Sequence, residues 1–329
     1  MQNKNEKTSK GNFAIAGSLI HNAVKHMEDA RNIGNGLTGV PSSFVFLDRL
    51  TSGWQASDFI ILAGRPSMGK TALAITLARN AAVDFGNPVA IFSLEMSNLQ
   101  LSQRLISSET ELSISKLRKG DLMDYEFEQL TSKIAKLSDT PIYIDDTPGL
   151  SLDELVKRSK EMHEKHKIQM IVIDYLQLMI LGKSKDNREQ EISLISRTLK
   201  CLAKELNIPI IALSQLSRSV EQRGGSKRPQ LSDLRDSGAL EQDADLVLFV
   251  YREDYYDMQD PENIPGTAEI IIAKHRNGPL DSVQLRFQKE FAKFVDEPSL
   301  SDYHNYEVDE PKTITRGAKM NDIEEEGPF

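Results

Sequence analysis

Residues 64–71, Gly-Arg-Pro-Ser-Met-Gly-Lys-Thr, have the spacing G-x-x-x-x-G-K-T. The chemistry this spacing permits is phosphate binding. Glycines let backbone N–H groups close round a phosphate. Lys70 is placed to reach the outer phosphates, and the Thr71 hydroxyl to hold Mg2+. Three further polar residues end apolar runs. Ala90-Ile-Phe-Ser-Leu-Glu95 ends in a carboxylate that could orient and deprotonate an attacking water, or serve as a cap or solvated turn acid. Met170-Ile-Val-Ile-Asp174 ends in an acid of the kind that orients Mg2+. Ile210-Ile-Ala-Leu-Ser-Gln215 ends in an amide able to sense a γ-phosphate, or in an ordinary polar turn.

These residues need a scaffold that brings strand ends together, and the chain has one. Phe59–Ala63 reads as a buried strand, and Ala72-Leu-Ala-Ile-Thr-Leu-Ala reads as the helix that follows the loop. Strand, Gly-rich loop and helix is the context that separates a true phosphate loop from a chance match, and the helix N-terminus adds partial positive charge. Further strands are expected at Val89–Leu94, Ile142–Ile144, Met170–Ile173, Ile208–Leu213, Leu246–Val250, Ala268–Ala273, Val283–Phe287 and Ala292–Val295. The earlier ones are continuous apolar runs separated by helical segments, which implies an α/β fold with a mostly parallel sheet covered on both faces. The last three lie close together and imply an antiparallel end. Ile192, Ile195, Leu199, Leu202 and Leu206 recur at helical spacing. Phe13–Arg31 can be helical, with Ile15, Leu19, Ile20, Val24 and Met27 near one face. That stripe needs cover, either from the chain's own body or from a neighbouring subunit.

Two basic segments remain. Arg218, Arg223, Lys227, Arg228 and Arg235, interrupted by Gly224-Gly225, form a basic stretch suited to tracking a nucleic-acid backbone, or a solvated loop; it has no aromatic residue for base stacking. Lys274 and Arg276 follow the strand 268–273 and project the same way. They could clamp a neighbour's nucleotide as a cation supplied in trans, or be surface charge. His163 and His166 have i, i+3 spacing but lie in a charged helix, so a metal role is disfavoured.

Composition sets the outer bounds. Of 329 residues, 39% are hydrophobic and 27% charged, ordinary for a globular protein. One cysteine, Cys201, excludes a disulfide framework and reads as apolar filler in a helix. No apolar run approaches the ~18–20 residues of a membrane span. The polar start, MQNKNEKTSKGN, is not a signal peptide, so a cytoplasmic, reducing compartment is expected. Net charge is −9, but residues 296–329 hold ten acids against three bases, so the body is nearly neutral and a local basic surface remains compatible with nucleic acid.

Taken together, Gly64–Thr71, Ser93-Leu-Glu-Met96, Ile173-Asp-Tyr-Leu-Gln-Leu178, Leu213-Ser-Gln-Leu216, Ser232-Asp-Leu-Arg-Asp-Ser-Gly238 through Glu241-Gln-Asp-Ala-Asp245, and Lys274-His-Arg-Asn-Gly-Pro279 resemble the motor domain of DnaB-family replicative DNA helicases, RecA-like hexameric ATPases. The resemblance runs from about Gly39 to Val295. It implies a RecA-like P-loop NTPase using ATP and Mg2+. In it Ser67, Gly69, Lys70, Thr71, Ala72 and Arg104 hold the nucleotide, and Thr71 and Asp174 hold the metal. Glu95 is the catalytic base, and Gln215 couples nucleotide state to DNA. Lys274 and Arg276 reach the adjacent subunit's ATP, and Arg235, Asp236 and Gly238 grip single-stranded DNA. It further implies a hexameric ring, 5'-3' polarity and replication partners: a loader, a primase and a single-strand-binding protein. The rival reading is a RecA-type recombinase or DNA-binding ATP switch that does not unwind.

The resemblance divides the chain into a disordered N-terminus (1–12), a linker-like docking helix (13–38), the motor (39–295) and a disordered acidic tail (296–329). Family members usually carry an N-terminal helical collar domain, whereas here only the linker-like helix precedes the motor. The expectation is a minimal helicase or one whose collar comes from a partner chain. The tail's Asp322-Ile-Glu-Glu-Glu-Gly-Pro-Phe329 is similar to the acidic-aromatic tips of single-strand-binding proteins: a partner-recruiting or DNA-competing segment, or an inert solubilising one.

Overall fold

The computed structural model describes residues 15–33, 36–179, 188–224, 226–256 and 265–297. The expected disordered N-terminus, Phe13 and all of the acidic tail beyond Glu297 lie outside them.

Nine strands form a single sheet: β1 (Phe59–Gly64), β2 (Val89–Ser93), β3 (Ile142–Asp145), β4 (Met170–Asp174), β5 (Ile210–Gln215), β6 (Leu246–Tyr251), β7 (Thr267–His275), β8 (Ser282–Gln288) and β9 (Lys293–Asp296). Their spatial order is β3-β2-β4-β5-β1-β6-β7-β8-β9. All pairings among β1–β6 are parallel, and β6-β7, β7-β8 and β8-β9 are antiparallel. All nine expected strands are present, and each boundary lies within two residues of its expected place. The antiparallel end also occurs where the closely spaced strands and short turns require it.

The sheet has a core on each face because strand side chains alternate. On β1, Ile60 and Leu62 point into one cluster, with α3 (Lys70–Arg79) contributing Leu73, Ile75 and Leu77 and α4 (Asn98–Thr110) contributing Leu101 and Leu105. Phe59, Ile61 and Ala63 point into the other, with α7 (Leu152–His166) contributing Leu155 and α8 (Arg188–Leu206) contributing Ile192, Ile195, Leu199 and Leu202. The remaining helices are α1 (Ala16–Ile33), α2 (Val45–Thr51), α5 (Ile114–Lys119), α6 (Asp124–Ser138), α9 (Ser219–Gln222) and α10 (Gly238–Asp243).

Three expectations change. Cys201 lies on α8 as anticipated but is exposed, because it falls outside the buried stripe that holds Leu199 and Leu202. The basic stretch 218–235 is not a loose loop. It holds α9 and leads into a 3-10 helix at Leu231–Ser237, and three of its cations are engaged: Arg223 with Asp233, Arg228 with Glu269 at 2.5 Å, and Lys227 with the Glu221 carbonyl at 2.9 Å. The expected grip loop is helical too: the backbone of Arg235 and Asp236 lies in that 3-10 helix, and Gly238 opens α10. The side chains of Arg235 and Asp236 are outside the described residues. Of the two covers open to the α1 stripe, none comes from the described residues: Ile15, Leu19, Ile20, Val24 and Met27 are all exposed among them.

Candidate functional site

A cavity of about 520 Å³ opens at the carboxyl edge of the parallel strands, where ligands bind in open α/β sheets. Ser67, Gly69, Lys70, Thr71, Ala72, Glu95, Arg104, Asp174 and Gln215 all line it. Local sequence explains each position. Gly69 has φ +96 at the start of α3, and a Cβ there would lie 3.0 Å from Phe294 Cζ, so only glycine lets the loop turn under the C-terminal hairpin. Glu95 lies between β2 and α4 in a turn pinned from both sides. Ser93 Oγ donates to Met96 O at 2.8 Å and accepts from Met96 N at 3.1 Å. Ser97 and Gln100 then form a capping box that starts α4 and sets Arg104 on the cavity-facing side. Ser93 pairs with Asp174 across β2-β4, and Gln215 pairs with Gly64, the first residue of the phosphate loop, across β5-β1.

The electrostatics show charges brought together and left incomplete. Burial pushes the Lys70 ammonium down to about 8, against the pull of Asp174 and Glu95. Burial pushes Asp174 up to about 6; Glu95 adds to the rise, while a Thr71 hydrogen bond, Lys70 and Arg104 oppose it. Arg104 is held below its ordinary value, first by burial. Lys70 Nζ donates to the Arg65 carbonyl at 3.1 Å, and Asp174 Oδ2 is buried without a hydrogen-bond partner. A carboxylate oxygen in that state, beside a threonine hydroxyl, fits a divalent cation. The lysine and the N-terminus of α3 fit a phosphate chain.

Sequence reasoning missed other wall residues: Pro66, Ile114, Tyr175, Arg252, Phe287, Lys289 and Ala292. Arg252 is buried, paired with Asp254 at 2.9 Å and set 4.8 Å from the Phe287 ring centroid. The strand-end rule that found Glu95 would have found Arg252, the residue after β6. The same rule would have found Tyr175 after β4 and Lys289 after β8, and Pro66 lies within the phosphate loop; nothing in the spacing marks Ile114, Phe287 or Ala292.

Lys274 and Arg276 do not line this cavity. Leu246 pairs with His275, and Ile60 pairs with Leu246, so both cations sit beside the start of β1. The phosphate loop follows its other end, roughly 17 Å away at strand rise. They do point the same way, as alternation predicts: Lys274 Nζ and Arg276 Nη2 both donate to Gln242 O, at 3.2 and 2.8 Å. His163 Nδ1 bonds Ile168 O at 3.0 Å, and His166 packs 4.4 Å from Tyr143, so their neighbours are those of helix and sheet packing.

Sheet order, phosphate loop and strand-end acids define a RecA-like P-loop protein. The comparisons with known proteins narrow this. The family profile described as DnaB-like helicase C terminal domain matches residues 39–296, and the chain belongs to that family. It is 48% identical over 291 residues to the replicative DNA helicase DnaB of Geobacillus stearothermophilus, covering 88% of this chain and 63% of that protein. It is 50% identical over 271 residues to the replicative DNA helicase DnaC of Bacillus subtilis (strain 168), covering 82% and 59%. Among solved structures, one described as an ATPase domain superimposes with a TM-score of 0.81 at 40% identity, covering 87% of this chain and all of that one. A DnaB-like replicative helicase, described with its primase interactions, gives 0.78 at 41% identity, covering 87% and 68%. The chain thus spans about three fifths of the length of these curated relatives.

Proposed function

We propose that this chain is the motor of an ATP-dependent DNA helicase, hydrolysing ATP at the subunit interfaces of a ring, most simply a hexamer, while moving 5'-3' along single-stranded DNA during replication. The observation that carries this reading is the separation of the two halves of the site. Each chain has a cavity with a phosphate loop, Glu95 and Asp174, and a cation pair, Lys274 and Arg276, at the far edge of its sheet. In this reading one copy's cavity is completed by another copy's cations.

In this reading Ser67, Gly69, Lys70, Thr71, Ala72 and Arg104 hold the phosphates, and Thr71 and Asp174 hold Mg2+, which supplies charge neutralisation on the phosphate oxygens. Glu95 takes the proton of the attacking water. Gln215, beside Gly64, registers the state of the site. Lys274 and Arg276 of the next protomer stabilise charge on the transferred group. Arg235, Asp236 and Gly238 contact the DNA backbone, and the exposed α1 stripe packs on a neighbouring copy. A primase partner is carried over from the solved helicase described with its primase interactions.

The test is the ATPase rate with and without single-stranded DNA, strand displacement on a forked duplex, and mass in solution. DNA-stimulated turnover and unwinding confined to a ring-sized species are expected. Turnover indifferent to DNA would overturn the reading, and stimulation without strand displacement would favour a non-unwinding ATP switch.

A further inference from the structure

Arg65, second in the phosphate loop, is a buried cation that the chemistry above does not use. Its side chain is only 7% exposed and does not line the cavity. A buried guanidinium is costly unless its donors are matched, and here they are matched by one short stretch after β5. Nε and Nη2 donate to Glu221 Oε1 at 2.9 and 2.6 Å, and Nη1 donates to Leu216 O at 2.7 Å. Glu221 is on α9. One residue past α9, Arg223 pairs with Asp233, which is 3% exposed and lies inside the 3-10 helix 231–237. Asp233 also holds Gln230 N at 2.7 Å through its carboxylate and Ser217 N at 3.0 Å through its carbonyl. On the other side, the Arg65 carbonyl accepts from Lys70 Nζ at 3.1 Å. One residue therefore carries the phosphate-loop lysine on its backbone and α9 on its side chain.

We propose that Arg65 and Glu221 are a positioning pair that couples the nucleotide site to the 231–238 segment through α9 and Asp233. When Lys70 turns toward a phosphate it releases the Arg65 carbonyl. The guanidinium, fixed to Glu221 and Leu216, transmits the loop's shift to α9. The second joint, Arg223–Asp233, passes it to the backbone that holds Arg235 and Gly238. This rests on the reading of 231–238 as a DNA contact.

Coupling between two sites is reciprocal and measurable as a ratio of affinities. The experiment measures the affinity of full-length chain for a fluorescent oligo-dT, with and without Mg2+ and a non-hydrolysable ATP analogue, for wild type and Glu221→Gln. Glutamine keeps the shape and an acceptor but removes the charge, and Glu221 is 47% exposed, so folding is spared. Wild type should show an affinity ratio that Glu221→Gln reduces by about fivefold or more. Affinity for the analogue alone should be unchanged, the melting temperature should fall because the buried Arg65 loses its charge partner, and Glu221→Asp should restore part of the ratio. Arg223→Gln, at the second joint, should reduce it likewise. An unchanged ratio in Glu221→Gln overturns the coupling role. So does a fall in analogue affinity that parallels the fall in ratio, which marks a merely structural pair. A wild-type protein whose DNA affinity ignores the analogue instead overturns the reading of the 231–238 segment, and it does so without any substitution.

Discussion

The two ends of strand β1 are built from the same residue types and treat them in opposite ways. At the carboxyl end, Lys70, Arg104, Glu95 and Asp174 share a cavity, yet Lys70 rests on a carbonyl and Asp174 Oδ2 has no partner. At the amino end, Asp245 is 5% exposed and almost saturated. Its Oδ2 accepts from Phe59 N at 2.8 Å and Lys200 Nζ at 2.5 Å, Arg276 Nη1 lies 3.4 Å from Oδ1, and its carbonyl accepts from Arg276 N at 2.9 Å. An incomplete polar set is a binding site; a complete one is a support. Here the support also leaves Arg276 47% exposed at its side chain, as the role proposed for it in trans requires.

The sharpest way to break this contrast is to ask whether the two ends act on one reaction. Glu95→Gln should lower ATP turnover by about 10²–10⁴-fold, the range for loss of a general base, and Arg276→Ala by about 10³–10⁵-fold, the range for loss of a trans arginine. Mixing the two variants should restore turnover that neither has alone, since some interfaces then combine an intact Glu95 with an intact Arg276. Mixed rings as inert as the separate variants would mean that the amino end serves only its own chain.

The next test treats the amino end as a support. Asp245→Asn leaves Lys200 and Arg276 facing a neutral group in a buried setting. Removing one partner of a buried pair costs about 3–5 kcal/mol, so the chemical-denaturation midpoint should fall well below that of wild type. Nucleotide affinity should change little, because Asp245 is not in the cavity. A midpoint within error of wild type would show that the network is ornamental and the contrast between the two ends false.

How much of this was legible in the sequence differs between the same two ends. The nucleotide-facing groups of the carboxyl end were readable, because they sit at the ends of continuous apolar runs and in a loop whose spacing is its chemistry. Arg252 escaped only because the strand-end rule was not carried to β6. At the amino end Lys274 and Arg276 were readable, but the network that holds them was not. Asp245, Lys200 and Ser57 are far apart in sequence, and they meet only because β6 lies beside β1 with α8 packed across it. The basic stretch misled for a related reason. Composition marks Arg223 and Arg228 as free charge, but their partners Asp233 and Glu269 are chosen by folding.

The smallest effect separates the ends by pH. Asp174→Asn should make the ligand-free protein more stable at neutral pH, opposite in sign to Asp245→Asn, while abolishing turnover. The folded Asp174 titrates near 6 against an ordinary 3.8. Between those values the folded chain keeps a proton that the unfolded chain has released. Stability therefore falls as pH rises through this window, and the loss is complete above about 6.5. A shift of that size corresponds to at most about 3 kcal/mol. The stability advantage of Asp174→Asn over wild type should thus be near zero at pH 4 and reach its full size by about pH 6.5. Asp58, at the amino end, is also pushed up to about 6, by burial and then by Asp245, so wild type alone would mix the two ends. The difference between wild type and Asp174→Asn isolates the cavity. Lys70, pushed down to about 8, adds the opposite slope above that pH: the folded chain loses its proton first, so stability rises from about 8 to 10.5. Saturating Mg2+ and nucleotide should cancel the advantage of Asp174→Asn at neutral pH, because a carboxylate with a cation to hold no longer gains by losing its charge. If the advantage is flat across pH 4 to 7, or survives saturation with ligand, Asp174 is not the incomplete group that distinguishes this end of the strand.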